Sequence, residues 1–475
     1  MSLRPGAATL LKDRWGRKTR DIQQLDCARR GRGAPMSAAP PRLPADITAM
    51  HLGIFDLDGI FRHKRVEAAK AEKLARDGYS FCEVLHAWDS AERTWSDTDT
   101  YIDRPCTLFP ETLRRWPFAE GAGVWIADFD GEFGEKSPRN QLLRQLERAA
   151  DMGVTPLSAF EFEFFLLQET PDSLRAKAFR DLEHYAKANR TYSLQSAAVN
   201  EELFADFTAC MTRLGIGLDS LHTELGPGCF EAPLKAEAGV KAADDAALFK
   251  NFAKAFFLRR GLTAAFLAKL RPDLPGQSGH FHISLRDAGG TPLFADPDAP
   301  DGLSELARHF LGGVLALMPE MLALPAHTVN AYRRMVPGAW SPTWASWGVQ
   351  NRTCAVRVIT DTPEATRLEF RVPAADTNPH ATMAFVLAAG LHGIETGATP
   401  PPPQEGSAYL VTPEPARRFP RDLHAAADRL EASDTARALF GDAFVDHLAF
   451  ARRHEALEAA RQVTEWELRR YLEIL

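Results

Sequence analysis

Ser158–Leu167 reads SAFEFEFFLL and sets two glutamates, Glu161 and Glu163, one residue apart in an otherwise almost wholly apolar run. Alternate residues of an extended strand share a face, so Glu161 and Glu163 point one way while Phe160, Phe162 and Phe164 point the other. Taken alone, such a strand fits an ordinary sheet with one face in water. The pattern returns in GQSGHFHISL (276–285), where His280, His282 and Ser284 lie opposite Phe281 and Ile283. It returns again in TRLEFRVP (366–373), with Arg367, Glu369 and Arg371 opposite Leu368, Phe370 and Val372. Three such strands predict a sheet with one apolar core face and one face lined by Glu, His and Arg. A solvated face would carry lysine, threonine and serine instead.

A fourth piece, HTELGPGCFEAPL (222–234), places Glu224 and Glu231 on either side of a Gly226-Pro227-Gly228 turn, within reach of the same hollow. Five carboxylates and a histidine then share one cavity. Burying an unpaired ion costs several kcal/mol, against a total stability of about 5–15 kcal/mol, so a cation is expected among them. Oxygen ligands with one histidine suit Mg²⁺ or Mn²⁺ and suffice for two sites, whereas zinc would call for more His or Cys. Arg334, Arg352, Arg357, Arg367 and Arg371 crowd into thirty-eight residues. Guanidinium groups match phosphate and carboxylate, which points to phosphoryl transfer on a carboxylate substrate. A structural salt bridge is the plain reading of any one of them.

The chain of 475 residues, 45% hydrophobic and 9% aromatic, has the composition of a folded protein with two or three domains. Its six cysteines lie far apart with no CxxC pair, which suits a reducing cytoplasm better than a disulfide or zinc framework. No run approaches the roughly 18 apolar residues of a membrane span. The formal charge of −7 hides an asymmetry, because residues 1–43 hold ten Lys/Arg against three acids and leave the remainder at about −14. That remainder is too acidic for general nucleic-acid binding. Residues 1–45 read as a basic leader, either a disordered arm, a targeting peptide or translation upstream of a start at Met36.

Residues 46–136 read as a small β-rich domain. AMHLGIFDLDGIFRHKRV (49–66) is an alternating strand pair turning at Asp58-Gly59, YSFCEVLHAWDS (79–90) a strand ending at Asp89, and GVWIADFD (123–130) another. A helix then opens a second domain, 137–475. Ser137 is placed at its N-cap and Pro138 in the first turn. Leu142, Leu143, Leu146 and Ala149/Ala150 form one stripe, and Gly153 stops the helix. Stretches 243–270, 302–324 and 381–397 read as helical, TPPPPQEG (399–406) as a surface loop, and TEWELRRYLEIL (464–475) as a closing helix.

Six blocks carry a resemblance: EFEFFLL, HTELGPGCFE, GHFHISL, NAYRRMVPG, NRTCAVRV and RLEFRVPAADTNPHATMAFVLAAGLHGIE, in that order. From about residue 49 to the C-terminus the chain resembles the glutamine synthetases of the bacterial class I type and their γ-glutamyl-amine ligase relatives. The resemblance implies an α+β fold, with an N-terminal β-grasp domain and a catalytic domain built on a curved, barrel-like antiparallel sheet flanked by helices. It also implies a homo-oligomer of stacked hexameric rings, a dodecamer with sites between subunits. By motif position, Glu163, Glu224 and Glu231 would hold one Mg²⁺ or Mn²⁺, and Glu161, His280 and Glu369 the second. Arg334 would grip the α-carboxylate of glutamate, with Gly276 at its amino group. Arg371 would meet the γ-carboxylate, Arg352 and Arg357 the transferring phosphoryl, and His282 and Ser284 the ATP. Asp89 resembles the acid that a neighbouring subunit lends to the amine site.

The implied activity is an ATP-dependent ligase that joins the γ-carboxylate of glutamate to ammonia or a larger primary amine through γ-glutamyl phosphate. Three departures bear on it. Trp340 stands where glutamine synthetase carries the glutamate that deprotonates ammonium, so Trp340, Trp344 and Trp347 read either as an aromatic wall for a bulkier amine, polyamine- or ethanolamine-like, or as packing at a subunit interface. Cys229 replaces a usual glutamine and Pro275 a usual asparagine beside Gly276, which loosens the expectation of strict glutamate specificity. A scaffold that kept the fold and lost catalysis is the alternative these changes encourage. A metal-dependent hydrolase, suggested by HFH, leaves the carboxylates and arginines without a role. Tyr409 is the nearest candidate for adenylylation, in a context that does not support it.

Overall fold

The structure, a computed structural model, describes residues 42–95, 100–185 and 190–475. The expected leader lies, up to residue 41, outside the described residues. Strands β1 (Ala49–Phe55) and β2 (Phe61–Glu67) form the expected hairpin. Its turn is built by Asp56, whose Oδ1 accepts from the backbone N–H of Asp58 and Ile60 at 3.0 and 2.9 Å, and by Gly59 at φ +78°. With β3 (Tyr79–Cys82), β4 (Asp103–Arg115) and β5 (Ala122–Phe129) they make a sheet of order β2-β1-β5-β4-β3, in which β1 and β5 are parallel.

Three features of this sheet differ from the sequence expectation. β1 does not alternate in burial; all seven residues are buried, because the sheet is covered twice. Met50, Leu52, Ile54 and Trp125 pack in a local core that includes Ala71 of the helix Ala68–Asp77. Phe55, Phe61, Val124 and Ile126 join the core of the larger domain. Second, the strand expected to run to Asp89 stops at Cys82, where a single 3-10 turn, Glu83–His86, swings Leu85 and His86 into the interior. Third, β4 and the helix Ala68–Asp77 carry no clear pattern in sequence. β4 contains Pro105 and Pro110, and its register with β5 shifts between Phe109 and Arg114.

Pro138–Asp151 forms the expected helix, capped by Ser137, and Gly153 follows at φ +75°. Its buried face is more polar than expected: Leu142 and Ala149 are joined by Arg139, Gln141 and Gln145, while Leu143 is only half-buried and Ala150 is exposed. Arg139 explains this, because it forks onto Asp244 of the helix Lys241–Leu258 at 2.8 and 2.9 Å. Asp244 also meets His380 Nε2, at 2.8 Å, on the helix Pro379–Thr396.

The larger domain is organised by β6 (Val154–Leu167), which contains the opening stretch. With β7 (His222–Thr223), β8 (Cys229–Pro233), β9 (Glu237–Ala238), β10 (Thr263–Ala265), β11 (Gly279–Asp287), β12 (Trp347–Val349), β13 (Val356–Ile359) and β14 (Arg367–Phe370) it forms a curled sheet of order β12-β13-β14-β11-β6-β8-β7, β9 and β10 pairing to β6. All pairs are antiparallel except β12 with β13. Phe160, Phe162 and Phe164 are fully buried and meet Phe281, Phe249 and Phe266 at centroid distances of 4.7, 5.8 and 5.0 Å. Each buried ring contributes about 1.5–3 kcal/mol, and together they fix which face of β6 looks inward.

Two of the flanking helices are shorter than the expected helical stretches. The first ends at Leu258, Gly261 takes φ +71°, and Thr263–Ala265 becomes β10; the second runs Glu305–Leu317 and stops before Pro319. Pro379–Thr396 ends on Gly397 in the left-handed region, and 399–406 is irregular. No helix among the described residues is long and apolar enough to cross a membrane.

Candidate active site

Strand register assembles the polar face. Glu161 of β6 pairs with His280 of β11, His282 of β11 with Glu369 of β14, Glu163 of β6 with Glu231 of β8, and Arg357 of β13 with Glu369. Beyond β8, His222 of β7 pairs with Glu231. Gly226 and Gly228, at φ +114° and +72°, turn the chain so that Glu224 lies beside Glu231.

Two clusters result. His280 Nδ1 lies 3.7 Å from Glu161 and 3.5 Å from Glu369, and His282 Nε2 is 3.4 Å from Glu161. Neither ring nitrogen of His280 has a hydrogen-bond partner, although both are shut off from solvent. Burial and Arg371 pull the His280 imidazole down to about 4, so it is neutral at pH 7 and free to act as a ligand. The second cluster is His222, Glu224 and Glu231, whose ligand atoms all lie within 4.8 Å of one another. His222 was not singled out by the sequence reading, though its spacing from Glu224 repeats that of Glu161 and Glu163. Glu163, expected in this set, is the cross-strand neighbour of Glu231 and also accepts a hydrogen bond from the backbone N–H of Ser278. Tyr192, also missed, donates its hydroxyl to Glu224 Oε1 at 2.7 Å from a loop with no pattern to reveal it.

The electrostatics of the face are unbalanced. Burial, reinforced by Glu161, Glu163 and Glu224, pushes Glu231 up to about 11, and burial raises Glu163. Glu369 is brought down to about 2 despite its burial, because His280, Arg371, His282 and Arg357 outweigh it. An acid held neutral beside other acids and a histidine with two unpartnered nitrogens are the signature of a face built around cations. The oxygen-rich donor set fits Mg²⁺ or Mn²⁺.

The arginines divide by environment. Arg371 Nη1 donates to Glu369, and its Nε to Arg352 O at 3.0 Å. Arg357 reaches the other oxygen of Glu369 at 3.1 Å. The Arg352 side chain is exposed in the loop before β13. Arg334 is 3% exposed and donates to the carbonyls of Val372 at 3.1 Å and of Arg371. Its stem lies against Gly276, where a Cβ would sit 2.7 Å from Arg334 Cγ, so only glycine fits there. Arg367 Nε bonds His282 Nδ1 at 3.2 Å. His282, Ser284, Glu161, Lys235, Asp219 and Arg367 line a cavity of about 320 Å³.

Other expected residues fall elsewhere. Asp89 accepts from the backbone of Ala91 and Arg93 at 2.8 and 2.9 Å and lies 4.0 Å from His454; within this chain it meets none of the cluster residues. Trp340 is 59% exposed, at φ +55°. Trp344 and Trp347 are buried within the chain, Nε1 donating to Ala408 O at 3.2 Å and to Pro401 O at 2.6 Å, so of the three tryptophans only Trp340 presents an exposed face. Cys229 contacts Gln277, whose amide approaches the sulfur at 3.5 Å. Tyr409 presents a solvent-shielded hydroxyl with no hydrogen-bond partner.

Comparison with known proteins bears on the family. Residues 135–471 match the glutamine synthetase catalytic domain. The chain is 37% identical over 442 residues to a glutamate–isopropylamine ligase of Pseudomonas sp, covering 90% of this chain and 96% of that protein. It is 35% identical over 440 residues to a γ-glutamylethanolamide synthetase of Streptomyces coelicolor, covering 90% and 93%. The solved structure of GmaS with ADP superposes with a TM-score of 0.78 at 31% identity, over 90% of this chain and 97% of that one. With the fold, the catalytic domain and relatives matched along almost their whole length, the chain belongs to the glutamine synthetase family.

Proposed function

We propose that the chain joins the γ-carboxylate of glutamate to a primary amine larger than ammonia, using ATP and divalent Mg²⁺ or Mn²⁺. The observation that carries this reading is the convergence of Glu161, Glu231, His280 and Glu369, with Glu224, on one face in fixed strand register. Glu161, His280 and Glu369 would hold one ion, and Glu163, Glu224 and Glu231, with His222, the other. Bound there, the ions supply charge neutralisation for a transferring phosphoryl group.

The residues of the chain do the rest. His282 and Ser284 line the cavity that would receive the nucleotide. Arg334, buried and with its hydrogen bonds going to backbone carbonyls, would take the α-carboxylate of glutamate, with Gly276 beside its amino group. Arg371 would orient the γ-carboxylate, one of whose oxygens attacks the γ-phosphorus of ATP as the bond to ADP breaks. Arg352 and Arg357 would stabilise charge on the phosphoryl oxygens. The amine nitrogen then attacks the γ-carbonyl of γ-glutamyl phosphate, phosphate leaves, and a proton is lost. Asp89 would come from a neighbouring copy in a homo-oligomer of stacked rings.

Trp340 favours the larger amine. An indole accepts no proton and makes no ion pair, but it offers an apolar and cation–π surface worth about 0.5–2 kcal/mol. The names of the two relatives, a glutamate–isopropylamine ligase and a γ-glutamylethanolamide synthetase, support the same choice. Phosphate release measured with glutamate, ATP and Mg²⁺ across a panel from ammonium to isopropylamine, ethanolamine and diamines tests it. Turnover with an organic amine above that with ammonium is expected; no turnover with any amine overturns the proposal.

A further inference from the structure

Arg334 ends the short helix Val329–Arg334, and the helix begins on Thr328, whose hydroxyl accepts from the Ala331 N–H at 3.0 Å. Six residues are too few to hold a helix by themselves, so the position of Arg334 depends on how this segment is tied down. One tie is Asn330, which exchanges hydrogen bonds of 2.8 and 2.9 Å with the backbone of Lys269. The other is the segment 371–377, held at both ends. At one end the Arg334 guanidinium donates to the carbonyls of Arg371 and Val372. At the other the Thr328 hydroxyl donates to Asp376 Oδ2.

Asp376 is otherwise unused by the reaction. Its Oδ1 is shut off from solvent and makes no hydrogen bond, and its charge is felt by both Arg334 and Lys250. Lys250 donates to Thr377 O at 2.7 Å, next along the same segment, and its ammonium lies 5.5 Å from the ring centre of Phe162, between the two glutamates of β6. The segment that begins with Arg371 and the helix that ends with Arg334 are thus clamped together, with Asp376 and Lys250 at the end remote from the arginines.

We propose that Asp376 is a positioning residue which, through Thr328, sets the separation of Arg334 from Arg371 and so the length of amino dicarboxylate the site accepts. This rests on the reading that Arg334 and Arg371 take the two carboxylates of the substrate. Loss of the clamp loosens Arg334 relative to Arg371 and leaves the strand-borne face and the nucleotide cavity alone. The effect therefore falls on the amino acid and not on ATP.

Steady-state phosphate release by the full chain, with ATP and isopropylamine saturating, tests this with glutamate, aspartate and 2-aminoadipate as acids. Asp376→Ala and Thr328→Val are expected to raise KM for glutamate about tenfold and to narrow its kcat/KM preference over 2-aminoadipate, with KM for ATP within about twofold of the parent. Asp376→Asn, which still accepts the Thr328 hydrogen bond, should retain most of the preference. A purely structural role would lower kcat through the folded fraction and leave both KM values and the preference in place, and that result overturns the proposal. Should Asp376→Ala fail to fold, Thr328→Val and Asp376→Asn decide alone. Arg334→Gln is the reference: if it leaves KM for glutamate unmoved, the assignment of Arg334 fails, whereas a raised KM there with none in the Asp376 and Thr328 variants defeats the clamp alone.

Discussion

At the scale of single residues, the cluster acids and Trp340 make opposite demands. Glu224 shares a set of ligand atoms with His222 and Glu231, and Glu163 is the cross-strand neighbour of Glu231. Glu163→Ala or Glu224→Ala should lower turnover at least about 100-fold, because the charge on a transferring phosphoryl is then left under-compensated. Titration calorimetry with Mn²⁺ should show weaker binding in both; a variant with near-parent turnover would count against the assignment. Trp340 sits outside that machinery, exposed in its loop. Trp340→Glu should shift kcat/KM from isopropylamine toward ammonium by about tenfold, read from the two amines in competition. The sequence made the acids and histidines of the sheet legible because alternation assigns each to a face. It did not reveal that Trp344 and Trp347 are interior, since three tryptophans in one loop carry no period, nor that Tyr192 reaches Glu224 across 32 residues of chain.

At the scale of elements, β6, β11 and β14 were readable because apolar residues alternate with polar ones along the part of each that lines the site. β4 was not, because two prolines and a register shift break its pattern, and the run 243–270 was misread because a helix and a strand share an alanine- and phenylalanine-rich composition. The joint between helices was equally hidden. Arg139, Asp244 and His380 lie on three of them and are all buried, which a hydrophobic-stripe reading of Pro138–Asp151 passes over. Burial opposes ionisation of Asp244, but Arg139 and His380 outweigh it and hold the carboxyl well below its usual range. Its contribution to stability is therefore complete above the unfolded-state value near 3.8 and is lost as the pH falls below it. Asp244→Ala, which strands the Arg139 charge, should cost about 3–5 kcal/mol. Urea unfolding at pH 7 should show the lower midpoint, and a shift no larger than that of a surface mutation would contradict the ion-pair account.

At the scale of the whole molecule, one chain supplies the Glu/His face but not Asp89, which points into its own loop next to His454. If a neighbouring copy supplies it, Asp89→Ala and Glu163→Ala damage different halves of a shared site. Each variant alone should be nearly inactive, while co-assembly of the two should recover about a quarter of the parent activity by random pairing of neighbours. The assay is phosphate release from co-expressed, differently tagged chains, and absence of recovery in verified mixed assemblies would refute sharing. The resemblance suggested this arrangement; nothing in the spacing of Asp89 in sequence did.

The polar face is held by strand register, with Glu161 and Glu163 on β6, and His280 and His282 on β11, each pair two residues apart across a phenylalanine. Deleting one residue in β11 would turn His280 and His282 into the core and Phe281 outward, so this part of the molecule can change only by discontinuous steps. The loop bearing Trp340 has no such lock. If Trp340 meets the amine as proposed, selection can explore the choice of nucleophile one substitution at a time while activation of the acid stays fixed. A laboratory library confined to residues 336–343 should accordingly yield new amide products from a scaffold that still cleaves ATP.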